Sequence, residues 1–183
     1  PNLKSLDLAS FRSLYMSDPH GVPHVICWHY FSQHLKVHSN EMVGFSLVHG
    51  VMLKGYPIDI MTIGKMQEPG YDKKKMVARH VRRIMNEFAG GAQPEFHPYW
   101  SNSDTLGTGG PDVLGSYYVN ARGEILLVLC NTSDKQADVT ASLLRAGRGG
   151  KMTDAMLGVE IPGTPESVKV SIGPQEYRII SIK

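Results

Sequence analysis

The chain has 183 residues, of which 42% are hydrophobic, 20% charged and 8% aromatic, and its formal net charge is +2. These fractions exclude a collagenous, coiled-coil or largely disordered protein, and the balanced charge gives no reason to expect nucleic acid as a partner. No apolar run approaches the ~18 residues that predict a membrane span, so a membrane partner is not expected either. The length suits one or two domains.

The start of the chain and its two cysteines are the features that relate to the cellular compartment of the protein. The chain begins at Pro1, and residues 1–20 lack the basic-then-apolar order of a signal peptide, so we expect a processed chain or an excerpt from a longer, soluble protein. Cys27 and Cys130 lie far apart, which excludes a disulfide-dense scaffold. The Asn-Thr-Ser pattern at 131–133 is a glycosylation acceptor only in a secreted protein. A secreted or periplasmic location of the parent protein stays open.

The first half of the chain alternates between strand and helix patterns. The short apolar run at 24–28 follows a proline and predicts a buried strand. Ser39 or Asn40 can cap the helix that follows, and its apolar residues recur at three- and four-residue steps until Gly55. These apolar residues are Val43, Leu47, Val48, Val51 and Met52.

A second strand and a second helix follow. Residues 56–64 predict the strand, and Asp72 can cap the helix, which ends at a glycine pair beginning with Gly90. Its apolar stripe consists of Val77, Val81, Ile84, Met85 and Phe88. Six lysines and arginines fall largely off this stripe, so we interpret them as a solvated helix face rather than an anion site.

From about residue 113 the pattern changes to short antiparallel strands. Two apolar runs, 114–119 and 124–130, flank a turn composition at 120–123 and predict a hairpin. Further strands are predicted at 137–143, 151–156, 167–172 and 176–182. Six short strands with regular breaks predict a β-sandwich or small barrel. The Pro- and Gly-rich segment 91–112 is predicted to be a linker.

The second half resembles the C-terminal β-sandwich of many barrel glycoside hydrolases. The strand at 124–130, the Asn-Thr-Ser turn at 131–133 and the Thr-Asp-Ala-Met-Leu-Gly segment at 153–158 carry the resemblance, together with the Pro-x-x-x-Arg strand at 173–180. Residues 22–90 are similar, more weakly, to the last two strand-helix units of such a barrel.

This resemblance implies a three-part chain. Residues 1–90 would be an α/β segment that is part of a (β/α) barrel, 91–112 a linker, and 113–183 an all-β antiparallel sandwich. A complete barrel takes roughly 250 residues, and only about two of its units are present. The chain is therefore either the C-terminal part of a longer glycosidase, which we favour, or a smaller α/β unit whose order matches by coincidence.

The candidate substrate-binding residues follow the first predicted strand. In a parallel barrel the groups that act on substrate lie just beyond the strand C-termini, where Trp28, His29 and Tyr30 occur and His34 follows. Histidine donates to sugar hydroxyls and tryptophan stacks on sugar rings. The alternative is that the aromatic residues are core and the histidines surface residues. The spacing of His29, His34 and His38 matches no strong metal motif, so no metal is expected.

Few acidic residues of the chain are candidates for catalysis. Glycoside hydrolysis commonly needs two carboxylic side chains, and Asp59 is a weak catalytic candidate that can equally be a structural carboxylate. Glu41 is better explained by the N-terminus of a helix, and Glu68 lies in a loop. No convincing pair is present, so membership of a glycosidase would imply that the catalytic carboxylates lie upstream of Pro1.

The aromatic run at 96–100 lies in the predicted linker. Tyr99 and Trp100 could form a platform for a sugar, and the alternative is that the run packs a seam between domains. The sequence contains no Gly-rich phosphate loop, so no cofactor is expected.

These features together indicate the C-terminal part of a glycoside hydrolase acting on oligo- or polysaccharide. The alternative is a noncatalytic carbohydrate-binding or interaction module. The expected partners are a carbohydrate substrate and either the remainder of a longer parent chain or another copy of this chain. A module should fold and bind alone, whereas a catalytic protein needs a longer parent chain.

Overall fold

The computed structural model describes residues 25–27, 39–54, 71–144 and 150–183. In chain order the elements are β1 (Val25–Cys27), α1 (Ser39–Val48), β2 (Met52–Lys54), α2 (Tyr71–Ala89), β3 (Glu95–His97), β4 (Leu106–Gly107), β5 (Val113–Val119), β6 (Ile125–Asn131), β7 (Ala137–Leu143), β8 (Met152–Asp154), β9 (Val159–Glu160), β10 (Val168–Ile172) and β11 (Tyr177–Ile182). The six strands predicted in the second half are all present as β5, β6, β7, β8, β10 and β11.

Two antiparallel sheets form a β-sandwich. The larger sheet has the strand order β3-β5-β6-β11-β8-β9, and the smaller has the order β10-β7-β4. One hydrophobic core lies between them. Its buried members include Leu127, Leu129, Ala141, Leu143, Val168, Ile172 and Ile180. The antiparallel sandwich expected from the period of the second half is therefore present.

The predicted hairpin is formed by β5 and β6. Val119 pairs with Ile125 across the turn at 120–123. Gly123 has a φ of +76°, which lies in the left-handed region that favours glycine. Its N–H donates to the carbonyl of Asn120 and closes the turn. Residues 120–123 therefore form the turn that their composition predicts. This turn joins the two longest strands of the larger sheet.

Strand β6 is buried on both faces. Its alternate residues face the core between the sheets, and the others face a second core beneath the helices. The first set is Ile125, Leu127 and Leu129, and the second is Leu126, Val128 and Cys130. Successive side chains of a strand point to opposite faces, so a strand covered on both sides needs an apolar residue at every position. This requirement explains the uninterrupted apolar run over residues 125–130 of β6.

The two helices of the described residues pack on the face of the larger sheet that is opposite the smaller sheet. This second core draws on α1, α2 and the larger sheet, and includes Val43, Leu47, Val48, Val81, Phe88, Leu114, Tyr118, Leu126, Val128 and Ile179. Arg82, Arg83 and Glu87 of α2 are exposed, as expected for a solvated helix face. The chain is thus layered as helices, larger sheet and smaller sheet.

Helix α1 approaches the larger sheet closely at Gly44. A Cβ atom added to Gly44 would lie 2.8 Å from the Cβ of Tyr177 and 2.9 Å from the Sγ of Cys130. Atoms this close overlap sterically, so a side chain at Gly44 would force α1 or its neighbours to move. Such overpacking of a core is destabilising. The absence of a side chain at Gly44 therefore sets how near α1 lies to β6 and β11.

Helix α1 ends earlier than the sequence predicts. The apolar spacing continues to Gly55, but α1 ends at Val48, and Met52 lies in β2. The cause is Gly50, which has a φ of +69°. The N–H groups of Gly50 and of the residue after it donate to carbonyls in the last turn of α1. This pair of bonds is a Schellman motif, which stops a helix.

Strands β1 and β2 pair in parallel, with α1 between them in the chain. Cys27, at the end of β1, pairs with Lys54, at the end of β2. This strand-helix-strand unit is of the α/β type, and α2 matches the second predicted helix. The barrel-like character of residues 1–90 stays a prediction. The strand predicted at 56–64 lies outside the described residues.

The predicted linker contributes strands to both sheets. Within 91–112, β3 pairs with β5 in the larger sheet, and β4 pairs with β7 in the smaller one. The Pro and Gly content suggested an irregular connection, but backbone groups of these short strands complete the sheet edges. The division of the chain at residues 90 and 113 stays a prediction.

Candidate functional site: the seam between helices and sandwich

Three polar side chains on one face of β5 bind the carboxyl ends of the two helices. Ser116 Oγ donates to the carbonyl of Val48 at 2.7 Å, and Tyr118 OH donates to that of Leu47 at 2.5 Å. One residue beyond the end of β5 and on the same face, Asn120 donates from Nδ2 to the carbonyl of Phe88 in α2 at 2.9 Å. The last carbonyls of a helix lack partners within it. These side chains therefore hold α1 and α2 to the sheet by their ends.

The hydrogen bonds of Ser116 and Tyr118 are shielded from water, so losing one would leave a buried polar group without a partner. Ser116 is fully buried, and its Oγ also accepts from the backbone N–H of Tyr99 at 3.0 Å. Burial raises the pKa of Tyr118 far above its ordinary value, so its hydroxyl stays protonated and able to donate. An unsatisfied polar group at such a position costs about 1–3 kcal/mol. Polar residues at this interface are thus stabilising because each one is satisfied.

The turn after β5 is a small polar network around Asn120. Its Oδ1 accepts from the N–H groups of Arg122 and Glu124, and its Nδ2 also lies 2.7 Å from a Glu124 carboxylate oxygen. Arg122 donates to the same carboxylate oxygen at 2.6 Å. That hydrogen bond, together with the one from Asn120, lowers the pKa of Glu124. The network fixes Asn120 where it binds α2.

His49 is a fully buried histidine directly after α1. Its Nδ1 lies 2.7 Å from the carbonyl of Phe45, and its Nε2 lies 3.1 Å from the hydroxyl of Tyr99. A carbonyl can only accept, so Nδ1 carries the hydrogen, and in the neutral ring Nε2 then accepts from the tyrosine hydroxyl. His49 thus ties the end of α1 to the segment between β3 and β4.

The aromatic run at 96–100 packs around His49. The ring centroid of His49 lies 5.3 Å from that of Tyr99 and 5.7 Å from that of Trp100. Phe96 lies 4.9 Å from Tyr118 and 6.2 Å from Trp100. These rings fill the space between α1 and the larger sheet. We call His49, Phe96, Tyr99, Trp100, Ser116, Tyr118 and Asn120 the seam.

The predicted substrate-binding residues divide into two groups. Tyr99 and Trp100 belong to the seam, next to the carboxyl end of α1, where the chain enters the amino end of β2. Trp28, His29, Tyr30 and His34, and also the catalytic candidate Asp59, lie outside the described residues. In the chain the first of these follows Cys27, at the carboxyl end of β1. Because β1 and β2 are parallel, that end is opposite the strand end that adjoins the seam.

A second contact joins α2 to the turn between β8 and β9. Asp154 Oδ1 accepts from the N–H groups of Met156 at 2.9 Å and Leu157 at 3.0 Å. The turn ends at Gly158, which has a φ of +71°. This geometry presents the Met156 carbonyl to Nε2 of His80 in α2 at 3.1 Å. The Thr-Asp-x-x-x-Gly segment therefore makes a turn that binds a helix.

Tyr177 lies in the helix-side core close to that turn. Burial is the main cause that raises the pKa of Tyr177 far above its ordinary value, and the charge of Asp154 adds to it. The phenol therefore stays neutral while α1 covers it. The acidic residues described near this part of the sheet stabilise turns by accepting hydrogen bonds, and none of them belongs to the seam.

An open groove crosses the outer face of the smaller sheet between β7 and β10. It is lined by Asp138, Val139, Thr140, Lys169, Val170 and Ser171. Ser171 Oγ donates to Asp138 at 2.7 Å, and Gln136 donates to Ser171 at 2.8 Å. The lining holds no aromatic side chain on which a sugar ring could stack. This groove is separate from the seam.

Sequence reasoning missed Ser116, Tyr118 and Asn120. The available signal was their spacing, because polar residues recur at every second position within an otherwise apolar strand. A strand with one solvated face gives the same pattern, so the sequence does not distinguish water from helix ends. Elsewhere in the described ranges, no three His, Cys, Asp or Glu side chains gather closely enough to hold a metal ion. Neither described helix is long and apolar enough to cross a bilayer.

Comparison with known proteins bears on the fold. No family model and no curated protein matches the sequence. Alpha-galactosidase I from Mortierella vinacea is 12% identical with a TM-score of 0.53, over 80% of this chain and 36% of that one. A candidate alpha-N-acetylgalactosaminidase from Bacillus halodurans is 11% identical with a TM-score of 0.51, over 81% of this chain and 33% of that one.

A GH27 beta-L-arabinopyranosidase from Geobacillus stearothermophilus is 19% identical with a TM-score of 0.37, over 40% of this chain and 18% of that one. The chain shares its fold with glycoside hydrolases. At the identities of the first two structures the likeness is one of fold alone. The chain spans about a third of the length of those two structures.

Proposed function

We propose that the chain is the C-terminal part of a glycoside hydrolase acting on oligo- or polysaccharide, with the catalytic carboxylates in a preceding part of the parent protein. The observation that carries this is the packing of two helices on one face of a β-sandwich, the first of which connects a pair of parallel strands. The likeness of fold to alpha-galactosidase I, matched over 80% of this chain, supports it.

The helix-covered sheet face argues against the alternative of an autonomous carbohydrate-binding or interaction module. Leu126, Val128 and Ile179 are at most 1% exposed and belong to the core that includes residues of α1 and α2. A sandwich that worked alone would need polar residues there. The open groove on the other sheet also lacks the aromatic platform that sugar-binding modules use. We therefore favour a sandwich that belongs to the α/β part, with 91–112 joining the two.

We further propose that sugar contact is made by Trp28, His29, Tyr30 and His34, and that Tyr99 and Trp100 serve the seam instead. In parallel α/β folds, substrate binds beyond the carboxyl ends of the strands. Residues 28–34 follow that end of β1, whereas the seam adjoins the opposite strand end. Imidazole and indole groups are suited to donating to sugar hydroxyls and stacking on sugar rings.

The proposed partners follow from the same geometry. A carbohydrate is the proposed substrate, and no metal or other cofactor is proposed. Among the described strands, β1 and β2 pair only with each other, so each has an edge available for a further strand. We propose that the remainder of a longer parent chain, or another copy of this chain, covers those edges.

The chain alone is expected to show no glycosidase turnover. Without a positioned pair of carboxylic groups, hydrolysis loses several orders of magnitude in rate. The measurement is release of the aryl group from a panel of aryl glycosides, and of reducing sugar from natural oligosaccharides, with an active glycosidase as the positive control. Robust turnover that disappears in Asp59→Asn would contradict the proposal and would move the catalytic site into this chain.

A further inference from the structure

The Asn-Thr-Ser glycosylation pattern begins at a residue that is fully buried. Asn131, the last residue of β6, has no exposed surface. Its Nδ2 lies 2.7 Å from the carbonyl of Lys135, 3.0 Å from that of Gly173 and 3.2 Å from that of Ile172. Its Oδ1 accepts from both the N–H and the hydroxyl of Ser133, at 3.0 and 2.9 Å. The amide therefore uses its donors and its acceptor within the fold.

These partners belong to different parts of the sandwich. Asn131 ends a strand of the larger sheet. Ile172 ends β10 of the smaller sheet, and Lys135 lies two residues before β7 of that sheet. One amide thus connects the two sheets at the same end of the sandwich. A carboxylate has no hydrogen to donate and a hydroxyl has only one, so neither can replace this set of bonds.

A neighbouring turn closes over the same site. The N–H of Asn131 donates to the carbonyl of Glu176 at 2.9 Å, and the N–H of Gln175 donates to the carbonyl of Ser133 at 3.1 Å. The Gln175 side chain also donates to Asp134 at 2.6 Å. Gln175 adopts a φ of +56°, an uncommon conformation for a residue with a side chain. The turn that precedes β11 is therefore held across the glycosylation pattern.

We infer, independently of the proposed function, that Asn131 is a structural amide and that the folded chain does not accept an N-linked glycan there. Glycan transfer breaks the bond between C1 of the sugar and the lipid diphosphate, which leaves, and joins C1 to Nδ2, which loses one hydrogen as a proton. One hydrogen then remains for three carbonyl groups. The sugar ring would occupy the position where the carbonyls of Lys135, Ile172 and Gly173 converge.

The test is secretion of the chain, behind a cleavable leader, from a eukaryotic cell. Pro162→Asn is the matched control, because it gives an Asn-Gly-Thr pattern over residues 162–164, all of which are exposed. In secreted protein that unfolds cooperatively we expect a glycosidase-sensitive mass shift for Pro162→Asn and none for the natural sequence, because a chain modified at Asn131 before folding loses the bonds that connect the two sheets. Peptide mass spectrometry locates the modified residue. A glycan on Asn131 in secreted protein that unfolds cooperatively would overturn the inference.

A second measurement separates structure from local sequence preference. The purified chain, folded or unfolded in urea and then diluted, is offered to an oligosaccharyltransferase with a lipid-linked oligosaccharide. We expect modification of Asn131 in the freshly diluted unfolded chain and none in the folded chain. Equal modification of both would overturn the inference. Modification of neither would also overturn it, since the fold would then not be the cause of the protection.

Discussion

Residues 113–183 expressed without residues 1–112 are expected not to form a stable monomer. Their helix-side face would expose Leu126, Val128 and Ile179, which are at most 1% exposed in the chain. Burying one large aliphatic side chain contributes about 1.5–3 kcal/mol. The loss over these three side chains is comparable with the whole net stability of a domain, about 5–15 kcal/mol. We expect aggregation, or a form that binds a hydrophobic dye and unfolds without cooperativity.

The matched controls use the same expression and purification. Residues 1–183 should give a cooperative urea transition, and co-expression of residues 1–112 with residues 113–183 should recover a soluble complex of the two. The reason is that the seam and the second core can form between separate chains. A monomeric fragment 113–183 that unfolds cooperatively and binds no dye would contradict the packing described above and would favour an autonomous module.

Asn131→Asp is expected to lower the free energy of unfolding by about 4 kcal/mol or more. The substitution removes both Nδ2 hydrogens and directs carboxylate oxygens at the carbonyls of Lys135, Ile172 and Gly173. Leaving a buried polar group unsatisfied costs about 1–3 kcal/mol, and a buried unpaired charge adds to this cost. Effects of this size are exceptional for a single substitution that changes so few atoms.

Asn86→Asp is the matched control, because Asn86 is an exposed residue of α2. It makes the same chemical change near a helix carboxyl end, where the added negative charge costs at most about 1 kcal/mol. Urea unfolding of the two variants and of the natural chain provides the comparison. Equal effects of Asn131→Asp and Asn86→Asp would show that the Asn131 amide does not connect the two sheets.

The second half of the chain was predictable because its signals are local. The turn composition at 120–123 and the apolar runs beside it are sufficient to specify the hairpin of β5 and β6. Strand β7 matches its predicted bounds of 137–143. The continuous apolar run at 125–130 is typical of a strand that is covered on both faces, a signal that the prediction did not use. The sequence did not specify that one cover is a second sheet and the other a pair of helices.

The end of α1 was predicted wrongly because two signals compete there. The apolar spacing continues through Met52, but Gly50 ends the helix in a left-handed conformation. A Cβ at Gly50 would also lie 2.7 Å from the Phe96 ring. That contact joins residues 46 positions apart, so a local pattern cannot reveal it. Tertiary packing thus determines which of the glycines after α1 ends the helix.

The seam was only partly predictable. Sequence reasoning gave two interpretations of the run at 96–100, a sugar platform and a packed seam. The structure places Tyr99 and Trp100 around His49. The hydrogen bond between Tyr99 and His49 connects residues 50 positions apart, which no local pattern encodes. The roles of Ser116 and Tyr118 depend on helix ends about 70 residues earlier in the chain.

The most direct test of the proposed function compares the two tryptophans of the chain, Trp28 and Trp100. Their indole N–H signals can be assigned in nuclear magnetic resonance spectra with the variants Trp28→Phe and Trp100→Phe. Oligosaccharides are then titrated to millimolar concentration. The proposed function predicts that sugar shifts the Trp28 signal and leaves the Trp100 signal in place. A shift of Trp100 without one of Trp28, or no shift of either signal with any sugar, would contradict it.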